Sequence, residues 1–400
     1  MENLINEVEE EIKEKNKEYE KIKEKNFKKV IEAFRDLKVR ESDFYDSTGY
    51  GLGDLGRDKL EELFSKIFDA EDSLVRSQIT SGTHAIAIVL FSLLKPNDEL
   101  ISITGEPYDT IQRIIGIKKS PLSLRDINVN YKEIDLINKE YDLKKYISKN
   151  TKIVFIQKSM GYSGNRRTLT NMEIKELIGK IREIKQDLII FVDNCYGEFV
   201  EEVEPTSVGA DIIAGSMTKN PGGGLSLTGG YICGKRKLIE KCSSLLISPG
   251  IGKSQGAQIG FKRNAFMGLF FAPHIVCETL KGITFASNLL SKLNFEVFPK
   301  WNEKRGDIIL GIKFKDKDKL IKFAQLVQKF SPIDSDVKLE PMKEEFFNYE
   351  VIMAAGTFTQ GASIEFSFDA PIKEPYIGYL QGGLFYEQIK YSIIKIVENL

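Results

Sequence analysis

The chain of 400 residues is long enough for two or three domains and a large core, and its 42% hydrophobic and 29% charged residues are ordinary for a globular protein. Its 57 basic and 58 acidic side chains nearly cancel, which argues against nucleic acid or an anionic membrane surface as a partner. Four cysteines without a CxxC pair and two histidines argue against a disulfide framework or a metal site such as zinc, no run approaches the ~18 apolar residues of a membrane span, and the acidic, lysine-rich N-terminus is unlike a signal peptide, so a cytoplasmic location is expected.

Residues 1–40 carry sparse apolar positions, among them Val8, Ile12, Ile22, Val30 and Phe34, at roughly helical spacing. They predict a solvated helix with one narrow packing face. Next, "GLGDLG" at 51–56 has the spacing of a dinucleotide fingerprint, but "VRESDFYDST" before it is not a buried strand, and the fingerprint requires one. In "QITSGTHAIAIVLFSLL" (78–94), Ser81, Gly82 and Thr83 immediately precede an apolar helix. Free N–H groups at a helix start, with hydroxyls beside them, can cradle a phosphate; the plainer reading is an N-cap by Ser81 or Thr83.

From about residue 75 to 235 short apolar runs alternate with helical stretches. "KIVFIQKS" (152–159), "DLIIFVDN" (187–194), "DIIAGS" (211–216) and "GGYICG" (229–234) read as buried strands, with a helix over 170–186. Such alternation predicts an α/β fold with a largely parallel sheet covered on both faces, whose ligand site lies beyond the carboxyl ends of the strands. Asp193 ends one of these runs, and a buried carboxylate there asks for a cationic or donor partner. Lys219 follows the next run, in "SMTKNPGGG", flanked by Ser216 and Thr218 and followed by glycines that permit close approach of backbone to a flat ligand. Residues 261–293 predict long helix, with Pro273 bending it or starting a segment. Residues 294–400 mix strands ("DIILGIKF", "ASIEFSF") with a helix ("KDKLIKFAQLVQKF") and predict a smaller α+β domain.

A phosphate cradle, a strand-end acid and a lysine in this order are what pyridoxal phosphate needs: an amine to form an imine, a carboxylate to keep the pyridine nitrogen protonated, and donors for the phosphate. At these residues the chain resembles the fold-type I pyridoxal-phosphate enzymes of the cystathionine lyase and methionine gamma-lyase group. Within that group it is most similar to the bacterial branch labelled "aluminium resistance protein". The stretches "STGYGLGDLGRDKLE", "SGTHAIA", "GEPYDT", "VDNCYGEFVE", "VGADIIAGSMTKNPGGG", "TGGYICG" and "VIMAAGTFTQGASIE" carry the likeness, which covers nearly everything after residue 40.

The resemblance implies an aspartate-aminotransferase-like fold with a helical arm over 1–47, a large cofactor domain over 48–290 and a small domain over 291–400. It implies that Lys219 carries the cofactor and shuttles the α proton, that Asp193 pairs with the ring nitrogen, and that Tyr108 stacks on the ring. Ser81, Gly82, Thr83, Ser216 and Thr218 would hold the phosphate, and Tyr50 and Arg57 would reach it from a neighbouring subunit, in a homodimer or homotetramer with shared sites. The activity implied is carbon–sulfur bond cleavage in a sulfur amino acid such as cystathionine, cysteine or methionine, by elimination from the β or the γ carbon. Another reaction of the same cofactor, such as aminotransfer or racemisation, and a cofactor-binding regulatory protein with little turnover are the alternatives. Tyr108 is also expected to be an acid for the leaving sulfur, its phenol pKa lowered by a neighbouring cation. The wider group grips the substrate carboxylate with an arginine of the C-terminal domain, yet no arginine follows Arg305. Lys373, Arg76, Arg125, Arg166 and Arg167 are left as candidates.

Overall fold

The computed structural model describes residues 1–50, 53–164, 166–344 and 347–400. Gly51 and Leu52, within the glycine-spaced "GLGDLG", therefore lie outside the described residues. The second half of that motif opens a helix, which Asp54 caps by accepting from Arg57 N at 3.0 Å, and no strand precedes it among the described residues.

In chain order, helix α1 spans Glu2–Asp36 and α2 Leu55–Ile67, followed by strand β1 Asp72–Arg76, α3 Gly82–Leu93, β2 Glu99–Ser102, α4 Asp109–Ile115 and β3 Asn130–Glu133. Then come β4 Thr151–Gln157, α5 Asn171–Ile184, β5 Ile189–Asp193, β6 Ile212–Ser216, β7 Gly230–Gly234, α6 Arg236–Leu246 and α7 Lys262–Lys292. The smaller C-terminal half holds β8 Glu296–Phe298, β9 Ile309–Lys313, α8 Lys317–Lys329, β10 Met342–Lys343, β11 Glu350–Ala354, β12 Ser367–Pro371, β13 Ile377–Gln381 and α9 Tyr386–Asn399.

The large sheet has seven strands in the order β1-β7-β6-β5-β4-β2-β3. Strands β3, β2, β4, β5 and β6 are mutually parallel, and β7 runs antiparallel between β6 and β1. Every residue of β5, β6 and β7 is buried, as expected for strands covered on both faces. The register puts Gln157 beside Asp193, and both Arg76 and Ser216 opposite Gly230. The carboxyl ends of β1, β4, β5 and β6 thus share one edge. The second sheet, β10-β11-β12-β13-β9-β8, is antiparallel throughout.

Two sequence expectations are modified, and a third is filled in. Helix α7 runs unbroken through the buried Pro273, so that proline starts no new segment. Contrary to the expectation that no run approaches a membrane span, α7 is long and apolar enough for one by length and composition, but most of that stretch is buried inside the protein. Second, "ASIEFSF" becomes strand only from Ser367. Ahead of it Glu365 accepts the N–H groups of Phe358 and Thr359 at 2.8 and 3.0 Å, a turn that takes the backbone out of ladder register. As expected, α1 is a largely solvated helix with one narrow packing face. It lies antiparallel along α7, with Lys292–Glu7 at 2.7 Å, Asn288–Glu11 at 2.8 Å, Tyr19–Thr284 at 3.1 Å and a Phe27/Phe270 edge contact at 5.4 Å along the seam. Val8 and Ile12 belong to the core of the small half, and Tyr19, Val30 and Ala33 to that of the large half.

Candidate active site

At the shared strand edge lies a cavity of about 250 Å³. Its walls include Ser81, Gly82, Thr83, Tyr108, Asp193, Ser216, Thr218 and Lys219, eight of the ten residues singled out in the sequence.

One end is rich in donors. Ser81 caps α3 by accepting from His84 N at 3.0 Å, so the plainer sequence reading of Ser81 is correct as far as it goes. Capping leaves the N–H groups of Gly82 and Thr83, in the first turn, without intrahelical partners. Gly82 is required by close approach: a Cβ there would stand 2.9 Å from Cys195 Sγ and 3.5 Å from Ser216 Cβ. Opposite the helix start, Ser216 Oγ and Thr218 Oγ1 are 2.9 Å apart, and Thr83 Oγ1 meets Thr110 Oγ1 at 2.9 Å. Hydroxyls and unpaired N–H groups at a helix N-terminus suit an anion, to which the helix dipole contributes about 0.3–1 kcal/mol.

Lys219 stands three residues beyond β6, in the short segment that β6 delivers to this edge. Its Nζ lies over the Tyr196 ring, 3.7 Å from the centroid, a cation–π contact that fixes the ammonium. Tyr196 itself adopts φ of 71°, a left-handed conformation unusual for a bulky residue and placed here where it aims the ring. Burial works against the Lys219 charge, but the acidic groups around it, Cys195, Tyr196, Asp193 and Glu198, outweigh burial and hold it protonated.

Asp193 is the last residue of β5, where the register with β6 makes it a neighbour of Ala214. One carboxylate oxygen accepts from Cys195 N at 3.1 Å. Burial raises its pKa, opposed first by the charge of Lys219. A buried carboxylate short of partners is an acceptor for a protonated ring nitrogen.

Tyr108 precedes α4 and is fixed by its own N–H, which donates to Gln157 Oε1 at 2.9 Å. Its phenol pKa is raised, by burial above all and then by Tyr196 and Asp369, and the charge of Lys219 does not reverse this. The expected lowering is therefore overturned: desolvation exceeds the attraction of one cation. Tyr50 and Arg57 do not line this cavity. Tyr50 is exposed, whereas the Arg57 guanidinium is buried, pairing with Asp58 at 2.9 Å and donating to the carbonyls of Gly49, Ser254 and Gly256 at 3.2–3.4 Å.

Sequence reasoning missed several groups. Tyr162 Oη donates to Asp369 Oδ2 at 2.5 Å, and Gln381 Nε2 donates to the same oxygen at 2.6 Å. Tyr162 packs edge-on to Tyr108, centroids 5.3 Å apart, and stacks on Tyr379. Burial raises the pKa values of both Tyr162 and Asp369. Of the lysines and arginines held open as carboxylate grips, Arg76 is tied to Glu61 at 2.5 Å and to the carbonyls of Lys253 and Gln255, Arg167 pairs with Glu173, and Arg125 is exposed. Arg166 and Lys373 both line a second cavity of about 670 Å³, which shares Tyr108, Gln157 and Tyr162 with the first.

The donor-lined end, the acid and the amine fit pyridoxal phosphate: Ser81, Gly82, Thr83, Ser216 and Thr218 for the phosphate, Asp193 for the ring nitrogen and Lys219 for the aldehyde carbon. Comparison with known proteins agrees. A protein of Bacillus subtilis named YnbB, itself uncharacterized, is 48% identical over 98% of this chain and 95% of its own. A solved structure from Clostridium novyi, described as a carbon–sulfur lyase involved in aluminium resistance, is 44% identical with a TM-score of 0.94 over 99% of this chain and 95% of the other. One from Listeria monocytogenes, provisionally named a cystathionine beta-lyase involved in aluminium resistance, is 43% identical with a TM-score of 0.96 over 100% and 99%. The sequence profile of the family described as methionine gamma-lyase matches residues 1–400 from end to end. Fold, cavity and sequence agree that the chain belongs to the methionine gamma-lyase family of pyridoxal-phosphate enzymes.

Proposed function

We propose that the protein cleaves a carbon–sulfur bond in a sulfur amino acid of the cystathionine, cysteine or methionine type, by α,β- or α,γ-elimination. The observation that carries this reading is the convergence of Lys219, Asp193 and the hydroxyl-lined helix start on one cavity. Pyridoxal phosphate, when bound, supplies an electron-accepting ring that stabilises negative charge at the α carbon of an amino acid. Asp193 keeps that ring electron-poor by accepting from its protonated nitrogen. Lys219 Nζ, steered by the Tyr196 ring, is the group placed to take up the α proton and return it, once it has given up the proton that it holds in the free site. Tyr108 and Tyr162 remain phenols because burial opposes their ionisation, so either can donate a proton to a departing sulfur.

The test is incubation of the cofactor-loaded protein with L-cysteine, L-cystathionine and L-methionine. Release of thiol or sulfide with a keto acid is expected. Transfer of the amine to an added keto acid, without thiol, would instead establish an aminotransferase.

The active unit is a homo-oligomer whose partner supplies Tyr50 and, once its guanidinium is released from the Gly49, Ser254 and Gly256 carbonyls, Arg57. The exposure of Tyr50, Leu55 and Ile259 supports this, since large apolar side chains gathered near one glycine-rich loop suit an interface. Mixing Arg57→Ala with Lys219→Ala protein should restore part of the activity if sites are shared, and none if each chain works alone.

A further inference from the structure

Tyr108, Gln157 and Tyr162 stand in the walls of both cavities, and they are knit to one another. Gln157, the last residue of β4, accepts the Tyr108 N–H at 2.9 Å and donates to the Ser159 carbonyl at 3.4 Å. Gly161 follows with φ of 56°, a left-handed conformation, and a Cβ there would stand 2.9 Å from Gln157 Nε2. This close turn brings the Tyr162 ring edge-on to Tyr108, centroids 5.3 Å apart. The three residues form a partition, with the cavity of about 250 Å³ that holds Lys219 and Asp193 on one side and that of about 670 Å³ on the other.

Tyr162 is fixed from the small half. Its hydroxyl donates to Asp369 of β12 at 2.5 Å, Gln381 of β13 donates to the same oxygen at 2.6 Å, and its ring stacks on Tyr379 of β13 with centroids 5.3 Å apart. Two residues further on, the loop closes against β13: a Cβ on Gly164 would stand 2.5 Å from Ile377 Cδ1. A ring held both at its hydroxyl and on its face acts as a wall, since turning it aside breaks both contacts.

The volumes say what this wall does. Sites for drug-sized ligands occupy about 300–1,000 Å³. The inner cavity is smaller than that, and the substrate has to share it with the cofactor. Little room is left there for a long side chain, while the larger space lies behind the Tyr162 ring.

We propose that Tyr162 sets the size limit on the substrate, so that the site takes amino acids with short side chains, on the scale of cysteine or methionine, and turns away those that carry a bulky group beyond the sulfur. The inference rests on the reading that the protein handles amino acids, but it does not require that elimination follow.

The test uses two amino acids without a leaving group, L-alanine and the bulky L-homophenylalanine, titrated separately into the cofactor-loaded protein with dissociation constants read from the shift in visible absorbance. Binding is measured because Tyr162 is also a proton source, and a rate would mix the two roles. The wild type should prefer L-alanine about 10-fold or more, and Tyr162→Ala, which joins the two cavities, should move the ratio toward L-homophenylalanine by about 10- to 200-fold. Tyr162→Phe keeps the ring and should keep the wild-type ratio. A wild type that binds both equally, or an unchanged ratio in Tyr162→Ala, overturns the proposal; a merely structural role for the ring would weaken both ligands alike. If Tyr162→Ala does not retain the cofactor, Tyr162→Leu decides in the same way, with a shift toward L-homophenylalanine supporting the size limit and a wild-type ratio overturning it. Absence of thiol release from cysteine would count against elimination while leaving this result intact.

Discussion

The inner and outer halves of the site are built by different means. The inner half, around Lys219 and Asp193, is made by residues at or just past the ends of neighbouring parallel strands, so the ladder of β4, β5 and β6 sets their spacing. The outer half, around Arg166, Tyr162 and Asp369, is assembled from a loop of the large half and an antiparallel strand of the small half; Tyr162 and Asp369 meet across 207 positions of sequence. Strand ends are rigid and adjacent, which suits groups that must hold one geometry through a reaction. Loops and a seam between two sheets can vary independently of the ladder, which suits discrimination between substrates.

If this division is right, damage to the inner half should abolish chemistry and damage to the outer half should tune it. Lys219→Ala should have the largest effect. It should fold, yet borohydride reduction followed by mass spectrometry should find no covalently attached cofactor; an adduct of unchanged mass would remove Lys219 from its role. Asp193→Ala should retain some cofactor and lose about 100- to 10,000-fold in turnover. Activity equal to wild type would show that Asp193 does not tune the ring.

Tyr162→Phe should lower kcat/KM about 10-fold while leaving cofactor retention unchanged, because it removes one donor to Asp369 and one proton source in the outer half. A loss as deep as that of Asp193→Ala would break the comparison.

The smallest effect belongs to Glu198, buried behind the inner half, where its carboxylate accepts from Tyr231 Oη at 2.7 Å. Burial pushes its carboxyl up to about 8, against that hydrogen bond. The folded protein then holds a proton that the unfolded chain releases near the ordinary carboxylate pKa, and stability falls as pH rises from that range to about 8. Glu198→Gln removes this dependence. Its stability relative to wild type, from urea midpoints, should improve by about 1–3 kcal/mol between pH 5 and pH 8. A constant difference would show that Glu198 is ionised throughout.

The same division governs what could be read from sequence. Asp193 and Lys219 stand out because each ends or follows a continuous apolar run, and parallel strands of similar length bring such ends together. Gly82 is legible beside a helix start, although its contact with Cys195 is not. Tyr162 and Asp369 give no local signal: one sits in a polar loop, the other in a strand whose alternation is unremarkable, and only the packing of two sheets pairs them. The cation–π contact from Lys219 to Tyr196 depends on a left-handed backbone at a residue type that gives no notice of it. The expected lowering of the Tyr108 pKa missed because a sequence names charges but does not say how much water remains near them.

Helix α1 has a mechanical meaning. Its first three turns are bolted to the C-terminal core and its later turns to the N-terminal one, so it works as a splint across the joint above which Tyr162 and Asp369 meet. Any motion of one half against the other has to work against both α1 and α7, each of which is buried in both cores although neither contributes a side chain to either cavity.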